Sequence, residues 1–164
     1  RNSRIPDWAY RDVLFMLIYY SISAYELLER KLTKQEKEQV FETFFKVGQR
    51  MKINGLPTTF EEWEVMHGNQ LQQNLVYGHF SKDLYKQYKK HLGIVRYSLM
   101  MEVQSVLVPK EVNQLLKLGK GKLIYAVIAI YQQFKKFRLN EIFRNMLLPK
   151  TYKSQILNLA TQNT

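Results

Sequence analysis

The chain alternates between long stretches of helical periodicity and short polar breaks, and no strand-like alternation persists anywhere. Residues Val13 to Tyr25 carry no charge. A bilayer span needs about 20 such residues, so the run predicts an apolar helix buried on most sides. Asp7, just after Pro6, is its expected N-cap, and Glu26, Glu29, Arg30 and Lys31 mark its return to water. Thr33-Lys34-Gln35-Glu36 reads as a capping box. The helix that follows sets Val40, Phe41, Phe44, Phe45, Gly48 and Met51 on one stripe, with Glu36, Lys37, Glu42 and Lys46 facing away. Gly48 on the apolar side suits either a close helix approach or a glycine tolerated near the helix end, and Asn54-Gly55-Leu56-Pro57 ends the element.

Thr59-Phe60-Glu61-Glu62 predicts a second capping box and a third helix, with Phe60, Trp63, His67, Leu71 and Leu75 on one face and a break at Gly78. Ser81 is the expected cap of a fourth helix. Leu84, Tyr88, Leu92, Val95, Leu99, Val103 and Val106 form a stripe that predicts one long helix, bent at Gly93. Pro109 opens a short helix over 110–118, which Gly119-Lys120-Gly121 breaks. Leu123 to Phe134 is again uncharged and too short to span, with lysines on both sides. A last helix is expected from about Leu139 to Leu147, before Pro149, and a loosely held tail after Tyr152. The sum is an all-α chain of six to seven helices in a single domain over 1–164, with its core in 7–118 and further C-terminal helices in 122–148.

Composition narrows this picture modestly. A 164-residue chain with 46% hydrophobic residues and mean hydropathy -0.35 suits one globular domain. The absence of cysteine excludes disulfides, thiolate metal sites and cysteine nucleophiles. The apolar run lacks the cleavage site of a signal peptide, and a chain opening on Arg1 is expected to be processed or part of something longer. A net charge of +11 brings nucleic acid and anionic membranes into view. The lysines are scattered among acids without a nucleic-acid motif, which favours a solvated basic surface, and no specific nucleic acid is expected as a partner. The basic-flanked run Leu123 to Phe134 suits either a core helix or one lying on a membrane surface. The expected location is cytoplasmic or peripheral to a membrane.

Chemistry-bearing residues are few. Glu64 and His67 make half of the Glu-x-x-His pattern of di-iron bundles, and no second pair exists. His67 lies on an apolar face, where a packed, hydrogen-bonded core histidine is the favoured reading over a cofactor ligand. His79 and His91 are expected to be solvated. There is no nucleophile elbow; Gly119-Lys120-Gly121 lacks the context of a phosphate loop, and a helix start explains Glu61 and Glu62. The 11 tyrosines and 9 phenylalanines supply an aromatic interior, suited to packing and to enclosing a hydrophobic substrate or a porphyrin.

One segment resembles a known family. Asp12-Val-Leu-Phe-Met-Leu is similar to the Asp-x-Leu-Tyr-x-Leu segment of haem-dependent oxygenases. These are typified by rubber oxygenase (latex-clearing protein) and by the fungal endoplasmic-reticulum-bound oxygenase of mycophenolic acid synthesis. The similarity continues through Tyr25-Glu26, Arg30-Lys31-Leu32-Thr33 and Glu36, then Val47-Gly48, Met51-Lys52-Ile53, Gly55-Leu56-Pro57-Thr58-Thr59 and Glu62-Trp63. Beyond Ser81 it is limited to helical layout and the position of Pro109. The resemblance implies a globin-like helical core, haem b as cofactor, and cleavage of carbon-carbon double bonds by dioxygen in a hydrophobic, isoprenoid-type substrate. It places the axial histidine upstream of the Asp12 segment. Residues 1–11 contain no histidine, so the ligand is expected upstream of Arg1, in a longer chain. The candidate cofactor-binding residues within the chain are Asp12 and His67; no catalytic residue is assigned. The alternative expectation, from charge and amphipathicity, is a non-catalytic basic helical module binding a membrane surface or another anionic partner.

Overall fold

A computed structural model describes residues 5–136, which form six α-helices and no strand. They are α1 (Asp7–Leu28), α2 (Lys34–Arg50), α3 (Phe60–Gln73), α4 (His79–Leu107), α5 (Lys110–Leu116) and α6 (Lys122–Lys136). The all-α expectation holds. The expected helix Leu139 to Leu147 and the tail after Tyr152 lie outside the described residues.

Helix α1 is the element on which the others are assembled. It packs chiefly along α2 and also touches α4, while α3 joins α2 to α5 and α6 lies on α4. The core gathers Phe15, Ile18 and Ile22 of α1, Phe41 of α2, and Phe60 and Trp63 of α3. Burying one such side chain is worth about 1.5–3 kcal/mol, so this six-residue cluster carries much of the driving force for folding. Burial of α1 is nevertheless one-sided. Leu14, Phe15, Ile18 and Ile22 are inside, while Val13, Met16 and Leu17 are each about half exposed. The lack of charge over Val13 to Tyr25 therefore does not mean burial on most sides, because apolar content records what a face tolerates and not what covers it. Nor does Asp7 cap α1. Pro6 is the N-cap, without a side-chain bond, and the Asp7 carboxylate accepts from Asn54 Nδ2 across the α2–α3 connection.

The α1–α2 turn is held by carboxylates. Glu36 closes the capping box, accepting the Thr33 N–H at 2.8 Å while Thr33 Oγ1 accepts the Glu36 N–H at 3.3 Å. Arg30 adds a two-pronged contact to the same carboxylate, at 2.9 Å and 2.5 Å. Glu26 accepts the Leu32 N–H and pairs with Lys31 and Lys37 at 2.8 and 3.1 Å. Burial alone would raise its carboxyl, but these hydrogen bonds hold it down at about 2. Lys37 thus points at α1 instead of facing away.

Helix α2 ends earlier than Asn54-Gly55. Lys52 takes a left-handed conformation (φ 56°), its N–H donates to Gln49 O, and the Ile53 N–H donates to Gly48 O. This is a Schellman closure on a lysine, and it tucks Ile53 into the core. Met51, expected on the buried stripe, is exposed there. At α3 the Thr59 hydroxyl accepts the Glu62 N–H, but the Glu62 carboxylate turns to the N–H and hydroxyl of Thr58. The expected box is completed one residue early. Helix α3 stops at Gln73, leaving Leu75 exposed beyond it.

Gly78 serves as the N-cap of α4 without a side-chain bond, so Ser81 is not the cap and Gly78 does not terminate α3. The break at Gly93 is sharper than a bend. With φ 74° and ψ 169° it joins two helical halves, and the single stripe fails: Leu84 and Val95 are exposed. Pro109 precedes α5 as expected, although the helix ends at Leu116 with Lys117 left-handed. Asn113 Nδ2 donates to Ser105 O and Gly119 O, tying the following loop to α4. The Glu102 carboxylate accepts the Leu123 N–H at the start of α6, where a negative group is favoured by the helix dipole.

Gly48 fixes how closely α1 and α2 meet. A Cβ there would lie 2.7 Å from Leu14 Cδ2 and 2.8 Å from Leu56 Cδ1. Gly48→Val should lower stability by about 1–3 kcal/mol in urea unfolding, the usual cost of overpacking. An unchanged midpoint would show that Leu14 and Leu56 can swing aside.

Candidate functional site

The most unusual surroundings in the described chain lie where α3 faces α1. Trp63, His67 and Gln70 follow at helical steps of 4 and 3, so they share one side of α3. His67 is buried, with its ring stacked on Trp63 at 5.4 Å and 11°. Phe15 meets it edge-on at 6.2 Å, and Tyr19 tilts against it at 5.4 Å. His67 is packed as expected but not hydrogen-bonded as expected: its neighbours are ring faces and edges, so neither nitrogen has a partner, and the same is true of Trp63 Nε1 and Gln70 Oε1. Burial pushes the imidazole pKa below its ordinary value, opposed by the field of Glu111, so His67 sits neutral in an aromatic cage.

A cavity lies on each side of this aromatic wall. The first, about 700 Å³, is lined by Asp12, Arg11, Asn69, Gln70 and Gln73, with Trp8, Phe15 and Met66 as its apolar surfaces. The second, about 550 Å³, is bounded by Tyr19, Ile22, Trp63 and Val106, with Glu26, Lys31, Lys37 and Glu64 at its polar edge. Asp12 is partly buried in the first. Desolvation raises its carboxyl above the usual range, moderated by neighbouring Arg11, whose guanidinium donates to Gly55 O at 3.2 Å.

The two candidates from sequence are therefore neighbours of Phe15 but do not converge. Asp12 opens on the first cavity; His67 lines neither of the two. Glu64 faces the second cavity while His67 is enclosed by rings, so their i, i+3 spacing makes no shared ligand set. No group of three or more His, Asp or Glu side chains suited to a metal ion occurs among the described residues. His79 and His91 are exposed on α4, as expected.

These positions bear on haem. An axial imidazole must direct a nitrogen into the space the porphyrin fills. His67 is enclosed by Trp63, Phe15 and Tyr19, and the other two histidines sit on the surface. The described histidines do not fit an axial ligand to haem in either cavity.

No family model, no curated protein and no solved structure matches the chain. The site is accordingly read from its own geometry. What the sequence reading missed is the carboxamide lining of the first cavity, from Asn69, Gln70 and Gln73. Its signal was present as three uncharged polar residues within two turns of His67, yet such residues are indistinguishable in sequence from an ordinary solvated helix end.

A neutral imidazole with two unpartnered nitrogens is costly. His67→Phe keeps the aromatic wall and removes both, so it should raise stability by about 1–3 kcal/mol at pH 7. The sign with pH follows from the lowered pKa. The unfolded chain takes up a proton at His67 near 6.5, before the folded chain does, so stability falls as pH drops below that value. Unfolding curves between pH 7 and 5 should slope less for His67→Phe than for the native chain. Equal slopes, or marked destabilisation by phenylalanine, would mean that the imidazole has a polar partner.

Proposed function

We propose that the chain is the helical scaffold of a haem b-dependent oxygenase of the rubber oxygenase type, with a globin-like core and a hydrophobic, isoprenoid-class substrate. The observation that supports this is the ordered set of residues from Asp12 to Trp63, most of which hold posts that the fold needs. Thr33 and Glu36 cap α2, Gly48 admits Leu14 and Leu56, Lys52 and Ile53 close α2, and Thr59 caps α3 so that Trp63 enters the core. On this reading the axial histidine lies upstream of the Asp12 segment. The described residues supply a dry wall of Phe15, Tyr19 and Trp63, and one carboxyl, Asp12, held partly out of water. Haem would bring the oxygen chemistry. The contribution derived for this chain is exclusion of water and shape. The longest natural form of the protein, reconstituted with haem, should show a Soret band that His67→Phe leaves in place. Absence of the band would overturn the assignment; its loss in His67→Phe would overturn the structural role given to that residue.

A second reading is favoured by α6. Ile124 and Ile128 are buried, while Leu123 (70% exposed) and Ile130 (49%), two turns apart on one side of the helix, face outward near the exposed Lys117, Lys120 and Lys122 in sequence. An apolar face rimmed by lysines suits the surface of an anionic bilayer, and no helix of the described residues is long and apolar enough to cross one. On this reading the chain is a basic, non-catalytic helical module. Co-sedimentation with phosphatidylserine vesicles should weaken with salt and with Leu123→Ser/Ile130→Ser. Sedimentation indifferent to anionic lipid would eliminate it.

A further inference from the structure

The first cavity is a cleft between two helical faces of the same spacing. Trp8, Arg11, Asp12 and Phe15 of α1 follow at steps of 3, 1 and 3, and so do Met66, Asn69, Gln70 and Gln73 of α3. The two helices meet where the rings of Phe15 and Tyr19 reach His67. Away from that contact they leave about 700 Å³ between them, within the range of about 300–1,000 Å³ usual for small-molecule sites. Phe15 and Met66 belong to the end nearest the contact, and the polar groups line the two walls.

The lining is polar without net charge. Among the described residues, Arg11 and Asp12 are the only charged groups that line it, and no lysine does, although the chain carries +11. Arg11 is already engaged with Gly55 O in the α2–α3 connection. No hydrogen bond joins the α1 wall to the α3 wall among the described residues, so the groups that face the space keep their bonding capacity. A carboxylate accepts, and each carboxamide both donates and accepts. Hydroxyl groups match such a set; a phosphate, which calls for cations and donors, does not.

The distribution of these groups also separates neutral ligands. A nucleobase has flat stacking faces and a polar edge, so it fits apolar walls and a polar closed end. Here the walls are polar and the closed end is apolar. A sugar ring with equatorial hydroxyls is the complement, because its hydroxyls radiate from the rim toward both walls while a C–H face rests on the apolar end. Trp8, 59% exposed, offers a second apolar face at the other end of the α1 wall.

We propose that this cleft binds a neutral saccharide, with Asp12 accepting from its hydroxyls, Asn69 and Gln73 bonding others from the opposite wall, and Phe15 and Trp8 against its C–H faces. The proposal is independent of the haem reading and needs no cofactor.

The test uses the full chain with D-glucose, D-galactose and cellobiose as probes. Trp63 is 4% exposed, so Trp8 is the tryptophan that acrylamide reaches. At least one probe should protect Trp8 from quenching and receive saturation transfer at its ring C–H protons in NMR. Tighter binding of cellobiose than of glucose would mark a glycan chain as the source, and equal binding a free sugar. Glucose 6-phosphate should bind no better than glucose. Asp12→Asn/Gln73→Ala, with its helical circular dichroism retained, should weaken binding about tenfold, the usual cost of one or two lost hydrogen bonds; Glu42→Ala should not. Absence of both transfer and protection with all three sugars would overturn the proposal, and this readout needs no variant. Tighter binding of the phosphate ester, transfer to adenosine but to no sugar, or binding unchanged in the folded double variant would overturn it as well.

Discussion

The close approach of α1 and α2 at Gly48 is the constraint on which the rest of the helical arrangement depends. Leu14 and Leu56 occupy the space that a side chain would take there. That contact sets α2 against α1 so that Phe41 reaches Phe15 and Ile18, and it holds the α2–α3 connection where Ile53 and Pro57 are buried. The carboxylates of Glu26 and Glu36 fix the same pair from its other end. With both ends pinned, α3 is directed across α1, and Trp63 and His67 enter the core. The aromatic wall is thus a consequence of a glycine and two carboxylates that are not part of it.

Much of this was legible in the sequence, because the strongest signals were local. The Thr33–Glu36 box needs only residues within one turn, and it forms as read. Gly48 on an apolar stripe could be read as a close contact or as a glycine tolerated near the helix end, and the packing of Leu14 and Leu56 against it decides for the contact. Local pattern failed wherever a non-local partner decided the outcome. Asp7 reads as a cap, but Asn54 lies near enough to claim its carboxylate. The α4 stripe keeps helical spacing through Gly93 on paper, yet a positive φ rotates everything after it, so one face becomes two. Lys52 could not be identified as the residue that closes α2, since lysine carries no bias toward left-handed backbone and only the burial of Ile53 rewards the turn.

The candidate site was less legible than the fold. Hydrophobic spacing placed His67 inward, and it is inward, but spacing says nothing of which groups meet the ring nitrogens. Asp12 was singled out through resemblance alone, and its partly desolvated position depends on α3 residues more than fifty positions away. The carboxamides opposite it are invisible to motif reading because Asn and Gln have no diagnostic spacing. Periodicity locates a wall, whereas a cavity is the space left between walls, and its chemistry belongs to both.

These points bear on the weight of the family resemblance. Of its residues, Thr33, Glu36, Gly48, Ile53, Leu56, Pro57, Thr59 and Trp63 cap, close, or pack, and none of them needs a cofactor to explain its identity. A shared pattern of such residues speaks first to a shared backbone path, and chemistry follows only through groups the pattern does not contain. The unpartnered nitrogens of His67 sharpen this separation. A histidine poised for ligation ordinarily donates its second nitrogen to a carboxylate or carbonyl, which fixes the tautomer and aims the lone pair. His67 has neither the open face nor the orienting acceptor, only the field of Glu111. Its place in the cage is explained by ring stacking, so on the proposed oxygenase reading the iron ligand would be another residue, and His67 belongs to the packing of α3 against α1.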